Sequence, residues 1–120
     1  KEKYKYNLIR PVTYINRYID AGWKPILATP PFPEYASGHS VESATSATIM
    51  AAMFGDNFSF DDHTNDSKGM EPRHFERFSD FAVEAALSRI YGGIHFRRAA
   101  MEGIKEGQRI GQIYTSIALK

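Results

Sequence analysis

The sequence predicts an all-α protein built as a helical bundle. Four stretches show helical spacing of apolar residues or the residues that start and end helices, and no stretch alternates as a strand would. The chain has 120 residues, which is too short for two independent cores. We therefore expect a single domain over residues 1–120.

The first two predicted helices flank a stiff connector. The first covers residues 11–21 and ends at Gly22, since glycine readily closes a helix. Prolines 30, 31 and 33 follow, and their fixed φ and missing N–H predict an extended chain. The second helix covers residues 40–54, and its many Ala, Ser and Thr side chains favour close packing.

The third predicted helix covers residues 72–91, after a polar loop. Pro72 suits a first helical position, and Gly92-Gly93 ends the helix. One apolar stripe with a spacing of three to four residues predicts a face turned to a core. That stripe consists of Phe75, Phe78, Phe81, Ala82, Ala85 and Ile90.

The last predicted helix covers residues 95–117 and carries a small residue at every fourth position. Each glycine in a helix interior costs about 1 kcal/mol relative to alanine, so a packing gain should offset that cost. We interpret the row as a flat ridge that lets another helix approach closely. Its members are Ala99, Gly103, Gly107, Gly111 and Thr115.

Composition excludes several classes of protein. Fifteen basic and fourteen acidic residues give a net charge of +1, so no bulk field for nucleic acid or membrane exists. No apolar run approaches the roughly 20 residues of a spanning helix, so we expect no membrane span. Cysteine is absent, which excludes disulfides and thiolate metal sites. The chain opens without Met, and we expect a piece of a longer chain.

Three segments place cations or a histidine beside a predicted helix end. They are Lys3-x6-Arg10-Pro11, then Ala36-Ser37-Gly38-His39-Ser40, then Ser88-Arg89-Ile90-Tyr91-Gly92-Gly93-Ile94-His95. Taken singly each has a structural explanation: Arg89 as a partner of a helix C-terminus, Lys3 as a solvated charge, and Ser-Gly-His as a chance tripeptide. Together they would supply cations, amides, a hydroxyl and two imidazoles, which suits a tetrahedral dianion such as phosphate.

These three segments resemble the signature of the vanadium-dependent haloperoxidase and type 2 phosphatidic acid phosphatase superfamily. That signature is Lys-x6-Arg-Pro, then Pro-Ser-Gly-His, then Ser-Arg-x5-His-x3-Asp. The run PPFPEY before Ser37 and the run SRIYGGIHFR are similar to the haloperoxidase branch. The resemblance covers nearly all of the chain and implies a C-terminal, active-site portion of a larger helical-bundle enzyme.

The resemblance also implies roles for single residues. Lys3, Arg10 and Arg89 would bind the anion's oxygens, and Ser37 with the Gly38 amide would complete the cradle. His39 would be the general acid and base. His95 would be the vanadium ligand in a peroxidase, with vanadate as cofactor, or the nucleophile in a phosphatase, without a cofactor.

Two positions depart from the signature. Ala36 replaces the motif proline, and Ala99 replaces the aspartate that orients the nucleophilic histidine. With no carboxylate at position 99, we expect Glu102 acting through water, or else a backbone carbonyl, to fix the tautomer of His95.

A few other residues invite a functional interpretation. Phe32 is either a core aromatic or, by resemblance, part of a halide or substrate pocket. Asp61, Asp62, His63 and Asp66 resemble a loose metal-binding set, but they have no recognised ligand spacing, and a solvated loop explains them better.

The sequence therefore favours vanadate-dependent halide oxidation by peroxide, with phosphomonoester hydrolysis through a phosphohistidine at His95 as the alternative. A helical binding domain with impaired catalysis is a second alternative, motivated by Ala99 and by the upstream segment that we expect to be missing. We expect small-molecule substrates, no nucleic acid and a possible homo-oligomer that covers the small-residue ridge. By resemblance only, we expect a periplasmic or secreted protein.

Overall fold

The protein is a helical bundle, as the sequence predicts, and its computed structural model describes residues 2–118. Three longer helices pack together, and shorter elements precede and interrupt them. The helices are α1 (Glu2–Tyr6), α2 (Pro11–Tyr18), α3 (Gly38–Phe54), α4 (Phe78–Tyr91) and α5 (Arg97–Ala118), with strands β1 (Phe60–Asp62) and β2 (Arg73–Phe75) and a 3₁₀ turn (Asp66–Lys68).

The glycine ridge of α5 lies against α3, which confirms its interpretation as a packing surface. An added Cβ at Gly103 would lie 2.7 Å from Cβ of Ser40, and one at Gly107 would run into the Val41 carbonyl. The missing side chains let the two backbones approach, which offsets the low helix propensity of glycine. Because α3 covers the ridge, the ridge is not an exposed surface that a second copy would need to cover. The expected homo-oligomer stays a prediction.

The predicted start of the third helix at Pro72 is wrong. Residues 73–75 form β2, which pairs antiparallel with β1 and sets Phe60 opposite Phe75. The spacing of the phenylalanines fits a helix, which is why the sequence predicted one. In the structure their rings gather in one cluster, in which the ring centroids of Phe60 and Phe78 are 5.4 Å apart and the rings are stacked. Phe75 reaches that cluster from a strand. The helix α4 begins only at Phe78, where the Asp56 carboxylate accepts the Ser79 amide at 3.1 Å.

Other boundaries also differ from the prediction, and the short helix α1 was not predicted. The helix α5 begins at Arg97 rather than at residue 95. The helix α2 ends at Tyr18 rather than at residue 21, because the Asp20 amide donates to the Ile15 carbonyl, five residues back, so the regular α-helical hydrogen-bond pattern stops there. The helix α3 begins earlier than predicted, at Gly38, with Ser37 as its N-cap.

The turn between α4 and α5 is shaped by two glycines and packed by the connector. Gly93 has a φ of +76°, and an added Cβ there would lie 2.7 Å from the Trp23 ring. The Leu27 amide donates to the Gly92 carbonyl at 3.0 Å. The turn therefore holds the chain immediately before His95 against a fixed surface.

Within residues 2–118, no helix combines the length and the apolar character that crossing a bilayer requires.

Candidate functional site

The site is organised around His95, in the short segment between α4 and α5. The amides of Ile94 and His95 both donate to the Arg89 carbonyl, at 3.2 and 3.3 Å. These bonds wrap the chain over the end of α4 and turn the imidazole inward. Only 5% of His95 is exposed.

Glu34 is the partner of His95 on one side of the ring. Its Oε1 lies 2.8 Å from Nδ1 of His95 and accepts the amide of Phe96 at 2.9 Å. Glu34 is 2% exposed. A buried carboxyl group needs hydrogen-bond donors, and these two donors come from consecutive residues.

Arg10 is the partner on the other side of the ring. Its Nη1 lies 3.1 Å from Nε2 of His95 and donates to the Ile94 carbonyl at 2.9 Å. Its Nε donates to Phe32 O at 3.0 Å, and Nη2 donates to Pro33 O at 3.4 Å. These contacts use four of the five guanidinium N–H groups and tie the connector to the turn after α4.

The two partners fix the tautomer of His95. A guanidinium only donates hydrogen bonds, whereas a carboxylate only accepts them. The neutral ring therefore carries its hydrogen on Nδ1, facing Glu34, and a lone pair on Nε2, facing Arg10. Burial lowers the pKa of His95, with Arg10 and Lys3 acting in the same direction and Glu34 opposing them. The Nε2 lone pair accepts from Arg10 in this structure; a neutral imidazole released from such a donor can coordinate or attack an electrophilic centre.

Lys3 and Phe32 complete the positively charged side of the site. Lys3 Nζ donates to the carbonyls of Glu34, at 3.2 Å, and of Ala36. The Phe32 ring lies under both cations, 5.3 Å from Lys3 Nζ and 5.1 Å from Arg10 Cζ. Burial lowers the pKa of Lys3, and the nearby Arg10 charge adds to this. Two cations therefore face a single carboxylate, which leaves a net positive field.

The Ser-Gly-His segment meets α5 one helical turn beyond His95. The Ser37 amide donates to the Ala99 carbonyl at 3.1 Å, and the buried Ser37 hydroxyl accepts the Ser40 amide at 3.4 Å. Gly38 opens α3 and, with Lys3, lines a cavity of about 740 Å³. This packing brings the second predicted segment to the same side of the fold as the first.

The side chains of His39 and Arg89 are less closely tied to His95. His39 is exposed on the first turn of α3, and Arg89 Nε donates to Ser88 Oγ at 3.0 Å. In the part of the chain that the structure describes, neither side chain hydrogen-bonds the His95 ring. Their predicted roles as proton donor and anion ligand stay predictions.

The expected source of the His95 tautomer is wrong. Glu102 accepts a hydrogen bond from Lys105 at 2.8 Å on the surface, and a side chain rather than a backbone carbonyl accepts from Nδ1. Sequence reasoning missed Glu34, although it is the lone charged residue between Pro30 and Ser40. A charge within an uncharged, proline-rich segment was the available signal.

The acidic loop has local partners. His63 lies 2.7 Å from Asp66, and the Thr64 amide donates to Asp62. Residues 2–118 contain no group of three or more His, Asp or Glu side chains arranged to hold a metal ion. His74, between Asp61 and Glu76, is likewise exposed.

Comparison with known proteins relates the chain to one family of helical-bundle domains. A family model described as the VCPO second helical-bundle domain matches residues 18–120. The chain is also similar to a structure described as the first bacterial vanadium-dependent iodoperoxidase, with 53% identity and a TM-score of 0.91 over 96% of this chain and 28% of that one. No match to a curated protein sequence was found.

Two further solved structures share the fold at lower identity. The holo-type bacterial vanadium-dependent chloroperoxidase has 21% identity and a TM-score of 0.80, and its apo type has 20% and 0.79. Each comparison covers 96% of this chain and 31% of the other. The chain therefore spans less than a third of the length of these solved relatives.

Proposed function

The chain belongs to the family of the VCPO second helical-bundle domain, and from this premise we propose that it carries the vanadate site of a haloperoxidase. The proposed reaction is the oxidation of a halide by hydrogen peroxide with uptake of one proton, which gives hypohalous acid and water. We further propose that the chain is the active-site portion of a longer protein. Its 53% identity to a bacterial iodoperoxidase makes iodide the first halide to test.

One observation supports this proposal most directly. His95 is buried, its Nδ1 lies 2.8 Å from the Glu34 carboxylate and its Nε2 lies 3.1 Å from the Arg10 guanidinium; an acceptor on one side and a donor on the other place the ring hydrogen on Nδ1. An uncharged Nε2 lone pair beside a buried guanidinium suits an anion whose central atom accepts an electron pair. Such an anion gains a bond from nitrogen and a charge-assisted hydrogen bond from arginine.

The residues present fit vanadate. Lys3 and Arg10 are donors held in place by carbonyl groups, and Glu34 balances only one of the two charges. When bound, vanadate would supply the electrophilic centre at which peroxide is activated. His95 would hold it through Nε2, and Arg10 would exchange its contact with Nε2 for one with an anion oxygen. Ser37 and Gly38 would add donors from the start of α3.

The alternatives lead to different outcomes in the same assay. A phosphatase would use the Nε2 lone pair of His95 as its nucleophile, and its turnover would be blocked by vanadate. The impaired binding domain rests on Ala99 and on the expected missing upstream segment; the carboxyl group of Glu34 weakens the first of these grounds, and an absence of both activities would support this alternative.

A calorimetric titration with vanadate tests the proposal. Iodide oxidation by peroxide and p-nitrophenyl phosphate hydrolysis are measured on the same sample. We expect saturable vanadate binding and vanadate-dependent iodide oxidation. His95→Ala should abolish both. The matched control is His74→Ala, because His74 is an exposed histidine with carboxylate partners, and it should change neither. Vanadate binding that survives His95→Ala would refute the proposal.

A further inference from the structure

We propose that Glu34 is the positioning residue for His95, in place of the aspartate that the family signature puts at position 99. It orients the ring and keeps the hydrogen on Nδ1, so that Nε2 faces the anion. The inference rests on the proposed function for the identity of the anion, but the geometry of the pair exists without it. A partner that orients a ligating histidine acts through that histidine and is not itself catalytic.

Glu34 is held from several directions. Its amide donates to the Leu8 carbonyl at 2.9 Å, and its own carbonyl accepts Lys3 Nζ at 3.2 Å. Its Oε1 accepts the Phe96 amide at 2.9 Å, next to the bond with His95. The backbone of Glu34 is therefore held in place, and its carboxyl group is fixed relative to the backbone amide that follows His95. An acceptor fixed in this way sets the rotation of the ring as well as its tautomer.

At position 99, where the signature has a carboxylate, the chain has a buried alanine that packs against the start of α3. Ala99 is 1% exposed, and its carbonyl accepts the Ser37 amide. The methyl group thus lies where α5 meets the start of α3. Because that side of the histidine is closed by backbone packing, the acceptor for Nδ1 arrives from the connector instead.

Glu34 becomes more important once the anion is bound. In the structure described, Arg10 also favours the same tautomer, by donating to Nε2. An anion held by Nε2 would take the place of that hydrogen bond. The bond to Glu34 would then be the remaining side-chain contact that orients the ring, and the negative charge of Glu34 would increase electron donation from Nε2.

The test is nitrogen and proton NMR of the His95 ring in the vanadate-free protein, in the unaltered chain and in Glu34→Gln and Glu34→Ala. We expect a downfield Nδ1–H resonance that exchanges slowly with water in the unaltered chain. Glu34→Gln should shift it upfield, because the acceptor loses its charge, and Glu34→Ala should remove it. A chain without this resonance, or an Ala variant that retains it unchanged, would overturn the inference.

Vanadate affinity provides the second readout. Loss of a partner behind a ligating histidine typically weakens affinity by about 10–100-fold; we expect this for Glu34→Ala and about tenfold for the isosteric Glu34→Gln. Glu76→Gln is the matched control, since Glu76 accepts from the exposed His74, and it should change neither readout. Equal affinity in Glu34→Ala and the unaltered chain would also overturn the inference.

The two proposals fail in different ways. If the Nδ1–H resonance responds as expected but no variant binds vanadate, the proposed function is wrong and the positioning role stands. If Glu34→Ala does not fold, as judged by circular dichroism, Glu34→Gln still decides, because it preserves the volume of the buried side chain. A Gln variant with an unshifted resonance and unchanged affinity would contradict the role of the charge.

Discussion

Nη1 of Arg10 lies 3.1 Å from Nε2 of His95, although 85 residues separate them in the sequence. The same guanidinium donates to carbonyls of the connector and of the turn before α5. Arg10 therefore has two tasks: it fastens the proline-rich segment to the helices, and it places positive charge at the histidine nitrogen to which we assign the anion.

Arg10→Lys tests whether the hydrogen bonds of the guanidinium matter in addition to its positive charge. A lysine retains the charge but cannot span three carbonyls and an imidazole with one ammonium group. We expect vanadate affinity to fall by at least about tenfold and the free energy of unfolding to fall by about 1–3 kcal/mol. Calorimetric titration and urea unfolding measure the two effects. Arg17→Lys on the exposed side of α2 is the control, and an equal loss in both variants would contradict the account.

Ala99→Asp tests whether the carboxylate of the signature is truly missing. Since Glu34 already accepts from Nδ1 of His95, a second carboxylate has no hydrogen to accept. It would also be buried, at a cost of about 1–3 kcal/mol or more. We expect a lower melting temperature and no gain in vanadate-dependent turnover. A clear rise in turnover would mean that Glu34 does not perform the role assigned to it.

Gly107→Ala tests the packing of α5 on α3. The added methyl group would meet the Val41 carbonyl and lie 2.8 Å from Cβ of Ala44, so the helices must separate. Overpacking of this kind costs about 1–3 kcal/mol, against a gain of about 1 kcal/mol in helix propensity. Thermal unfolding should show net destabilisation. Gly22→Ala, whose Cβ makes only an ordinary contact at 3.5 Å, should leave the midpoint nearly unchanged.

The buried histidine predicts how stability depends on pH. The pKa of His95 is lowered by burial and by the two neighbouring cations. Above a pH of about 6.5 the ring is neutral in both states. As the pH falls below that value, the unfolded chain takes up a proton on this residue that the folded chain does not. His95 therefore lowers the free energy of unfolding by up to about 1.4 kcal/mol per pH unit. This loss ends at the pKa of the folded state.

Two surface histidines act in the opposite direction. Hydrogen bonds to Asp66 and to Asp61 raise the pKa values of His63 and His74, so their stabilising effect is present at low pH and is lost as the pH rises through the raised values. An NMR titration separates the groups. The His95 midpoint should lie below about 6.5 and the other two above it; a reversed order would contradict the buried site.

The sequence predicted the elements whose cause is local. The glycines of α5 indicated a close helix contact because their cost requires compensation, and that contact is with α3. The Gly92-Gly93 pair predicted the turn before His95. The start of α4 was misplaced because the spacing of Phe75, Phe78 and Phe81 fits a helix, while a buried ring satisfies the same cluster from a strand.

The motifs predicted part of the neighbourhood of His95. Arg10 contacts its ring directly, and Lys3 donates to the Glu34 carbonyl beside it, whereas His39 and Arg89 do not hydrogen-bond the ring and their roles stay predictions. The role of Glu34 could not be predicted, because no local sequence pattern shows that a connector residue contacts a histidine 61 positions away. Its meaning lies in burial and hydrogen bonding, which only the folded chain displays.

A crystal structure of the protein grown with vanadate measures the central claim most directly. The account predicts vanadium on Nε2 of His95, with Lys3 and Arg10 donating to its oxygens and Glu34 still bonded to Nδ1. It would also reveal whether His39 and Arg89 turn toward the anion. Vanadate bound elsewhere, or coordination through Nδ1 after rotation of the ring, would contradict the account.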